Sequence, residues 1–259
     1  MLVVGGSVGM GGAPALAGIA ALRAGAGLVT VACPSEVADV VAGFEPSLMT
    51  LPLACEEGGL TQSTIDAVSK HRSTVVAIGP GIGRLDNTVE FVRSLMSSVV
   101  KPKVIDADGL NAVVGSTELL SRGSTIITPH PGEFAALTGR SAAEVQSNRE
   151  SLAVEFARSH GCVVVLKGAN TVVTDGSRVF INQTGNPGMA TGGTGDVLTG
   201  IIAGLVAQNL PPFEAAQLGV HLHGIAGDVV SEAGAMESLI ASDLLGALPA
   251  AWRRLHGRG

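Results

Sequence analysis

Asn186-Pro187-Gly188-Met189-Ala190-Thr191-Gly192-Gly193-Thr194-Gly195-Asp196 is the most informative stretch of this chain. It holds four glycines, and an apolar helical pattern of Val197, Leu198, Ile201, Ile202 and Leu205 follows it. Such a loop feeds a helix N-terminus, where N–H groups are unpaired and the helix dipole is positive. Glycines let the backbone wrap an anion, so phosphate suits the pattern. Asp196 is then out of place unless it has a task, because a carboxylate beside a phosphate costs repulsion. Taking a proton from a hydroxyl that attacks the phosphate is such a task. The bland alternative is an acid stabilising a helix start through the dipole alone. Gly193, Thr194 and Gly195 are therefore the candidate anion hole, and Asp196 the candidate base.

Upstream of this loop, short β-branched runs end in glycine and give way to helical patterns. The runs are Leu2–Val4, Leu28–Val31, Thr74–Ile78, Val104–Ile105, Thr125–Ile127 and Cys162–Leu166. Most are continuous apolar runs, the mark of strands buried on both faces of a parallel sheet. Helices are expected over Pro14–Ala24, Thr61–His71, Asn87–Ser97 and Ala142–Ser159. The alternation implies an α/β fold with a mostly parallel central sheet and helices on both faces. Cys162–Leu166, Thr171–Thr174 and Val179–Asn182 then follow in close succession, with the turn signal Asp175-Gly176 between the last two. An antiparallel edge is expected there. Beyond the glycine loop only helices are expected, over Thr194–Gln208, Phe213–Ala233 and Ser242–Leu255. No repeat or linker divides the chain, so residues 1–259 read as one domain. The Leu2-Val3-Val4 run comes straight after Met1, which suggests a domain cut from a longer chain.

Composition narrows the function. The chain has 259 residues, long enough to bury a core without disulfide or metal staples. Hydrophobic residues are 46% and charged residues 15%, which excludes disorder. A net charge of −6 with no basic cluster argues against nucleic acid, and the absence of tyrosine with a single tryptophan removes a base-stacking platform. Cys33, Cys55 and Cys162 have neither disulfide-framework nor zinc spacing and read as free thiols in a reducing cytoplasm. No apolar run reaches membrane-spanning length, and no basic leader precedes the first strand.

Further motifs sit at strand ends. Lys167-Gly168-Ala169-Asn170-Thr171 joins two strands; its lysine could reach a nucleotide phosphate, or the segment is an ordinary polar turn. In Thr128-Pro129-His130-Pro131-Gly132-Glu133 the prolines lock an extended loop, placing His130 at a strand's carboxyl end, where α/β sheets bind ligands. Alone, a histidine there is more often a structural hydrogen-bonder than a ligand group, and Glu133 could equally be a helix-start carboxylate. Gly79-Pro80-Gly81-Ile82-Gly83 and Gly5-Gly6-Ser7-Val8-Gly9-Met10-Gly11-Gly12-Ala13 permit close ligand approach. Asp106-Ala107-Asp108 could hold a metal or a ribose, or cap a turn. Gly5-Gly6-Ser7-Val8-Gly9 matches the serine-hydrolase elbow, but only four residues precede it. His221 and His223 lie two apart and face away from each other on a helix, so they read as core or capping histidines. Neither a P-loop nor a G-x-G-x-x-G fingerprint is present.

With Gly193-Thr194-Gly195-Asp196 near its end, the chain resembles the ribokinase-like superfamily. Thr128-Pro129-His130-Pro131-Gly132-Glu133 looks like that superfamily's T-P-N-x-x-E segment, with His130 in place of asparagine, a departure from ordinary sugar kinases. A narrower resemblance covers nearly the whole chain. Gly11-Gly12-Ala13-Pro14, Leu22-Arg23-Ala24-Gly25-Ala26-Gly27, Gly79-Pro80-Gly81-Ile82-Gly83, Asp106-Ala107-Asp108-Gly109-Leu110-Asn111, Pro129-His130-Pro131-Gly132-Glu133, Lys167-Gly168-Ala169-Asn170-Thr171 and Gly192–Asp196 occur in this order. Together they look like the ADP/ATP-dependent NAD(P)H-hydrate dehydratases.

The resemblance implies a lyase that repairs the hydrate of NADH or NADPH at the expense of ADP or ATP. It places the hydrate on Ala13, Gly81, His130 and Asp196, and the nucleotide on Lys167, Gly168, Ala169, Asn170, Thr171 and Gly195. It implies a homotetramer and an accompanying epimerase domain. Mg²⁺ is expected with the nucleotide; neither the motifs nor the resemblance names its ligands, and Glu133 is only a guess. The competing readings are a small-molecule hydroxymethyl kinase of the same superfamily and a catalytically silent nucleotide-binding module.

Overall fold

The computed structural model describes residues 1–121 and 124–257, and every structural statement below concerns these residues. The first half runs β1 (Leu2–Val4), α1 (Gly12–Arg23), β2 (Thr30–Pro34), α2 (Ser35–Ala42), β3 (Met49–Leu53), β4 (Cys55–Glu56), β5 (Gly59–Leu60), α3 (Ile65–Ser69), β6 (Val76–Ile78), α4 (Asp86–Ser98), β7 (Lys103–Ile105) and α5 (Asp108–Ala112). Then come β8 (Thr125–Ile127), α6 (Pro131–Thr138), α7 (Ala142–Ser147), α8 (Arg149–His160), β9 (Val163–Leu166), β10 (Val172–Thr174), β11 (Val179–Ile181), α9 (Thr194–Ala207), α10 (Pro212–Ala233) and α11 (Ala241–Leu255).

Nine strands form one sheet in the order β11-β10-β9-β8-β7-β6-β1-β2-β3; β4 and β5 make a separate hairpin. The pairings from β3 through to β9 are parallel, and β9-β10-β11 is antiparallel, as the close spacing of those strands predicts. Asp175 closes the last hairpin by accepting the backbone N–H groups of Ser177 and Arg178. Side chains alternate across the sheet. Val3, Val31, Val104, Ile126 and Val165 face a core built with α1, α2, α9, α10 and α11. Leu2, Val76, Ile105, Ile127 and Val164 face a second core with α3 to α8. Both faces are covered, which is why the strands read as apolar runs.

The differences from the sequence expectation are local. The helix expected over 142–159 is two helices, broken at Asn148 (φ −133°, ψ 35°), which ends α7 and begins α8. Asparagine favours such a cap because its side chain competes with the helical backbone for hydrogen bonds. The 61–71 helix is a short 3₁₀ turn followed by α3. The strand expected at 28–31 lies at Thr30–Pro34. The elements not anticipated include α2, β3, the β4–β5 hairpin, and the short helices α5 and α6. The β3 strand is a half-exposed edge carrying Pro52, so it lacks the buried-strand signature.

Two features of this frame position the site. From β1 the chain moves outward to β2 and β3, then returns to lay β6 on the other side of β1. Loops leaving the carboxyl ends of β1 and β6 lie against each other, with the Gly6 N–H donating to the Pro80 carbonyl, and feed helices on opposite faces of the sheet; ligands of open α/β sheets bind at such a switch point. Helix α9 is apolar almost all round and packs closely on α1. A Cβ at Gly200 would lie 2.0 Å from the Ala17 carbonyl oxygen, so the α1–α9 contact needs glycine there. This contact anchors the helix that carries Asp196.

Candidate active site

Gly193 ends the glycine loop with φ +90°, a left-handed turn that swings the chain into α9. Thr194, Gly195 and Asp196 occupy its first turn. The Thr194 hydroxyl donates to the carbonyls of Met189 and Thr191, tying the loop to the helix start. From the neighbouring α10, His223 donates through Nε2 to the Thr194 carbonyl at 2.9 Å. Burial lowers the His223 pKa to about 4, so it is a neutral, fixed donor. This is the capping role expected of it, but His223 also lines the cleft described below, which its spacing from His221 did not reveal.

Asp196 sits half-buried behind this turn. Burial pushes its carboxyl up to about 7; Asp106, Asp108 and Glu133 add repulsion, and Lys167 opposes them. A carboxylate poised near neutrality can both take and release a proton. As a free-enzyme base it works only when deprotonated. The acidic limb of kcat/KM against pH is therefore expected to have its midpoint near 7. Replacing Asp106 with asparagine removes a negative neighbour and is expected to move that midpoint down, toward the ordinary carboxylate range. A pH–rate profile of the two proteins checks this; an unmoved midpoint would assign the limb to another group.

Lys167, at the carboxyl end of β9, is the cation of the site. Its Nζ lies 2.7 Å from Asp106 Oδ1 and 3.9 Å from Glu133 Oε2. Burial alone would lower its pKa, but the charges of Asp106 and Glu133 raise it, so it is held as ammonium. Asp106 is 1% exposed, and its other oxygen accepts from the Thr199 hydroxyl at 2.7 Å. Asp108 points elsewhere: it accepts from Arg84 Nε at 2.6 Å and from the Gly83 backbone. Between the two acids, Ala107 has φ +49° and ψ −124°. That backbone is costly for a residue with a Cβ, and it turns the adjacent carboxylates apart. The pair is thus not a shared metal or ribose cage.

His130 and Glu133 form a capping box on α6. His130 Nδ1 accepts the N–H groups of Gly132 and Glu133, while Glu133 accepts the His130 N–H at 2.7 Å. Asparagine is a favoured N-cap because its oxygen accepts these same bonds; the imidazole supplies the equivalent acceptor. With Nδ1 accepting, the proton of the neutral ring is on Nε2, 3.4 Å from Glu133 Oε1. Glu133 therefore has the helix-start role. No group of three or more His, Cys, Asp or Glu side chains among the described residues is arranged to hold a metal. Glu133 already caps His130 and faces Lys167, so the residues do not form a metal cage.

The expected nucleotide positions come together. Lys167, Gly168, Ala169, Asn170 and Thr171 form one flank of a cleft of about 690 Å³. Thr194 and Gly195 join it, and the segment from Asn182 to Thr191 supplies most of the remainder. A Cβ at Gly195 would lie 3.3 Å from Lys167 Nζ, so only glycine leaves the space between helix and lysine open. His130 touches the rim of this cleft; Gly193 does not line it. Ala13 and Gly81 lie outside it, on the paths leaving β1 and β6, and a side chain at Gly81 would meet Ala13 Cβ at 3.0 Å. Asp196 does not line the cleft; Asp106, Lys167, Asp108 and Glu133 are close enough to act on its charge, and Asp108 accepts the Gly83 N–H of the loop after β6. Ser7, the elbow-like serine, donates its hydroxyl to the Gly81 carbonyl and so braces the two loops together.

Residues 1–250 match the family model described as NAD(P)H-hydrate dehydratase. The chain belongs to this family. It is 47% identical to the bifunctional NAD(P)H-hydrate repair enzyme of Moorella thermoacetica over 99% of this chain and 49% of the relative. For the Escherichia coli enzyme of the same name the identity is 39%, over 96% of the chain and 46% of the relative. The chain thus spans about half the length of the curated relatives it matches. Among solved structures, the ADP/ATP-dependent NAD(P)H-hydrate dehydratase of Bacillus subtilis, co-crystallised with ATP/Mg²⁺, superposes with a TM-score of 0.83 at 30% identity, covering 98% of this chain and 88% of that one. A ribokinase-like superfamily protein of Enterococcus faecalis gives 0.83 at 26% identity over 100% of this chain and 87% of that one. The architecture is accordingly ribokinase-like. No helix among the described residues is long and apolar enough to cross a membrane.

Proposed function

We propose that this NAD(P)H-hydrate dehydratase family member, read as a single domain over residues 1–259, dehydrates the S-epimer of NADH or NADPH hydrate, using ADP or ATP as phosphoryl donor. The observation that carries the reading is Asp196. Its carboxyl, which burial pushes up to about 7, sits in the first turn of a helix whose Thr194 and Gly195 line a cleft that Lys167 also lines.

In this reading the hydrate's ring lies by Ala13, Gly81 and His130, with its C6 hydroxyl at Asp196. The nucleotide occupies the cleft beside Lys167–Thr171 and Gly195. Asp196 takes the hydroxyl proton as the oxygen forms a bond to the terminal phosphorus of the nucleotide. The bond from that phosphorus to the bridging oxygen breaks, releasing AMP from ADP or ADP from ATP. Backbone N–H groups at Gly193–Gly195 and the Lys167 ammonium stabilise the charge on the transferring phosphoryl group. The C6–O bond then breaks, pushed by the ring-nitrogen lone pair, and phosphate leaves. Loss of a C5 proton restores the dihydropyridine. His130 Nε2–H is a donor for the hydrate. Mg²⁺ would accompany the nucleotide phosphates and keep most of its waters, as that ion commonly does; no step above is assigned to it.

The reading extends to a homotetramer and to a functional partnership with an epimerase domain, in keeping with relatives of twice this length named bifunctional. Three free thiols, two of them buried, are in keeping with a reducing cytoplasm.

The test is a recovery assay with hydrated NADH, Mg²⁺ and either ADP or ATP. Return of NADH absorbance that needs nucleotide and yields one phosphate per NADH is the expected result. Bound nucleotide with no recovery would favour a superfamily kinase, to be sought among hydroxylated vitamin precursors.

A further inference from the structure

We infer that Asp228, acting through Gly185 and Asn186, is a positioning residue that sets one flank of the nucleotide cleft. The inference rests on the assignment of that cleft to the nucleotide. The flank concerned, from Asn182 to Thr191, has almost no regular structure; it contains only a 3₁₀ turn at Pro187–Met189. Such a segment holds its place only through specific tethers. Most of these come from α10. Asn182 Nδ2 donates to the Val220 carbonyl, and the Thr184 hydroxyl donates to the His221 carbonyl. Those two acceptors are backbone atoms, fixed once α10 forms. Downstream, the tether is a side chain. Asp228 Oδ2 accepts the Gly185 N–H at 2.9 Å, and Oδ1 accepts from Asn186 Nδ2 at 3.2 Å. Ser231 Oγ accepts from the same amide at 3.3 Å.

This clamp fixes more than one residue. With its Nδ2 held by Asp228 and Ser231, the Asn186 side chain has one orientation, and its Oδ1 accepts the Gly188 N–H that starts the 3₁₀ turn. The turn carries Met189, whose carbonyl takes the Thr194 hydroxyl at the head of α9. A short chain of hydrogen bonds therefore runs from Asp228 to the anion-hole helix. Gly185, Asn186, Pro187 and Met189 all line the cleft, whereas Asp228 does not. Its effect on a ligand is thus through placement and not through contact. Hydrogen bonds to an ionised acceptor are the stronger kind, which suits a clamp on a loop that must keep its shape in water. Ala13 and Gly81, proposed to hold the hydrate, lie outside this cleft on the paths leaving β1 and β6, and take part in none of these bonds.

The location gives the role a signature. Replacing Asp228 with asparagine keeps the shape but sets an amide against the Asn186 amide, so one of the two bonds is lost. Calorimetric titration with ADP and with ATP, in the presence of Mg²⁺, is expected to show nucleotide affinity about tenfold weaker, the size of one charged hydrogen bond. The KM for hydrated NADH and the kcat at saturating nucleotide are expected to stay within about twofold. Asp228→Glu retains both acceptors on a longer stem, and an affinity between those of the asparagine variant and the unaltered chain is expected. Unchanged nucleotide affinity in Asp228→Asn, even with a lowered melting temperature, would reduce Asp228 to a structural residue and overturn the inference. So would a parallel rise of both KM values. An unaltered chain that binds neither ADP nor ATP would instead remove the cleft assignment itself, a failure visible before any variant is compared.

Discussion

Replacing Asp196 with asparagine is expected to lower kcat by about 10³-fold, within the range for loss of a general base, while ADP, ATP and the hydrate still bind within a few-fold of their normal affinities. The variant keeps the helix start, the anion hole and Lys167, so only proton removal is lost. Nucleotide titration alongside the recovery assay separates the two effects, and undiminished turnover would take Asp196 out of the mechanism. A stability measurement gives a second, independent check. The carboxyl has its ordinary value of 3.8 in the unfolded chain and about 7 when folded. Between those pH values the folded chain binds more protons than the unfolded chain, so stability falls as pH rises through the window. At about 1.36 kcal/mol per pH unit, the upper bound on this cost is about 4 kcal/mol above pH 7. Asp196→Asn should therefore melt higher than the unaltered chain at pH 8, with the difference shrinking toward pH 4. An inactive variant that is more stable at pH 8 would locate the lost function in the carboxylate and not in the fold.

Lys167→Met is the second large effect. The lysine compensates Asp106, which is 1% exposed, and faces Glu133. Removing one partner of a buried pair leaves a charge without its counter-ion, at a cost of about 3–5 kcal/mol. Denaturant unfolding should show that loss, and nucleotide titration should show affinity reduced by at least about tenfold. Adding Asp106→Asn to Lys167→Met removes the orphaned charge. The double variant is expected to recover most of the stability and none of the nucleotide affinity. Recovery of both would mean that the lysine acts only as a structural counter-ion.

Much of the site was legible because its residues carry local signals. A glycine loop ahead of an apolar helix marks a candidate anion site from spacing alone, and an acid at its end is conspicuous because it would oppose such a ligand. Lys167 could be singled out because it ends a buried strand next to glycine. Other roles left no such trace. Asp106 and Asp108 read as a pair in sequence, yet the backbone at Ala107 sends one to Lys167 and the other to Arg84. His223 read as a core or capping histidine, but only packing of α10 beside the glycine loop shows that its partner is the Thr194 carbonyl. Ala13 is a candidate through the family resemblance alone; a small apolar residue carries no signal of its own.

The sequence by itself determined the layer architecture and the antiparallel edge, and singled out the glycine loop as the candidate phosphate site. Each of these depends on periodicity, turn residues and helix starts, which are properties of neighbouring residues. Tertiary structure decided the order in which strands lie in the sheet, and hence that the loops after β1 and β6, far apart in sequence, lie against each other. It also decided that Asp106, Lys167 and Asp196, each on a different element, share one poorly solvated space. The raised pKa of Asp196 exists only there, because desolvation and charge repulsion act through space and vanish in an extended chain.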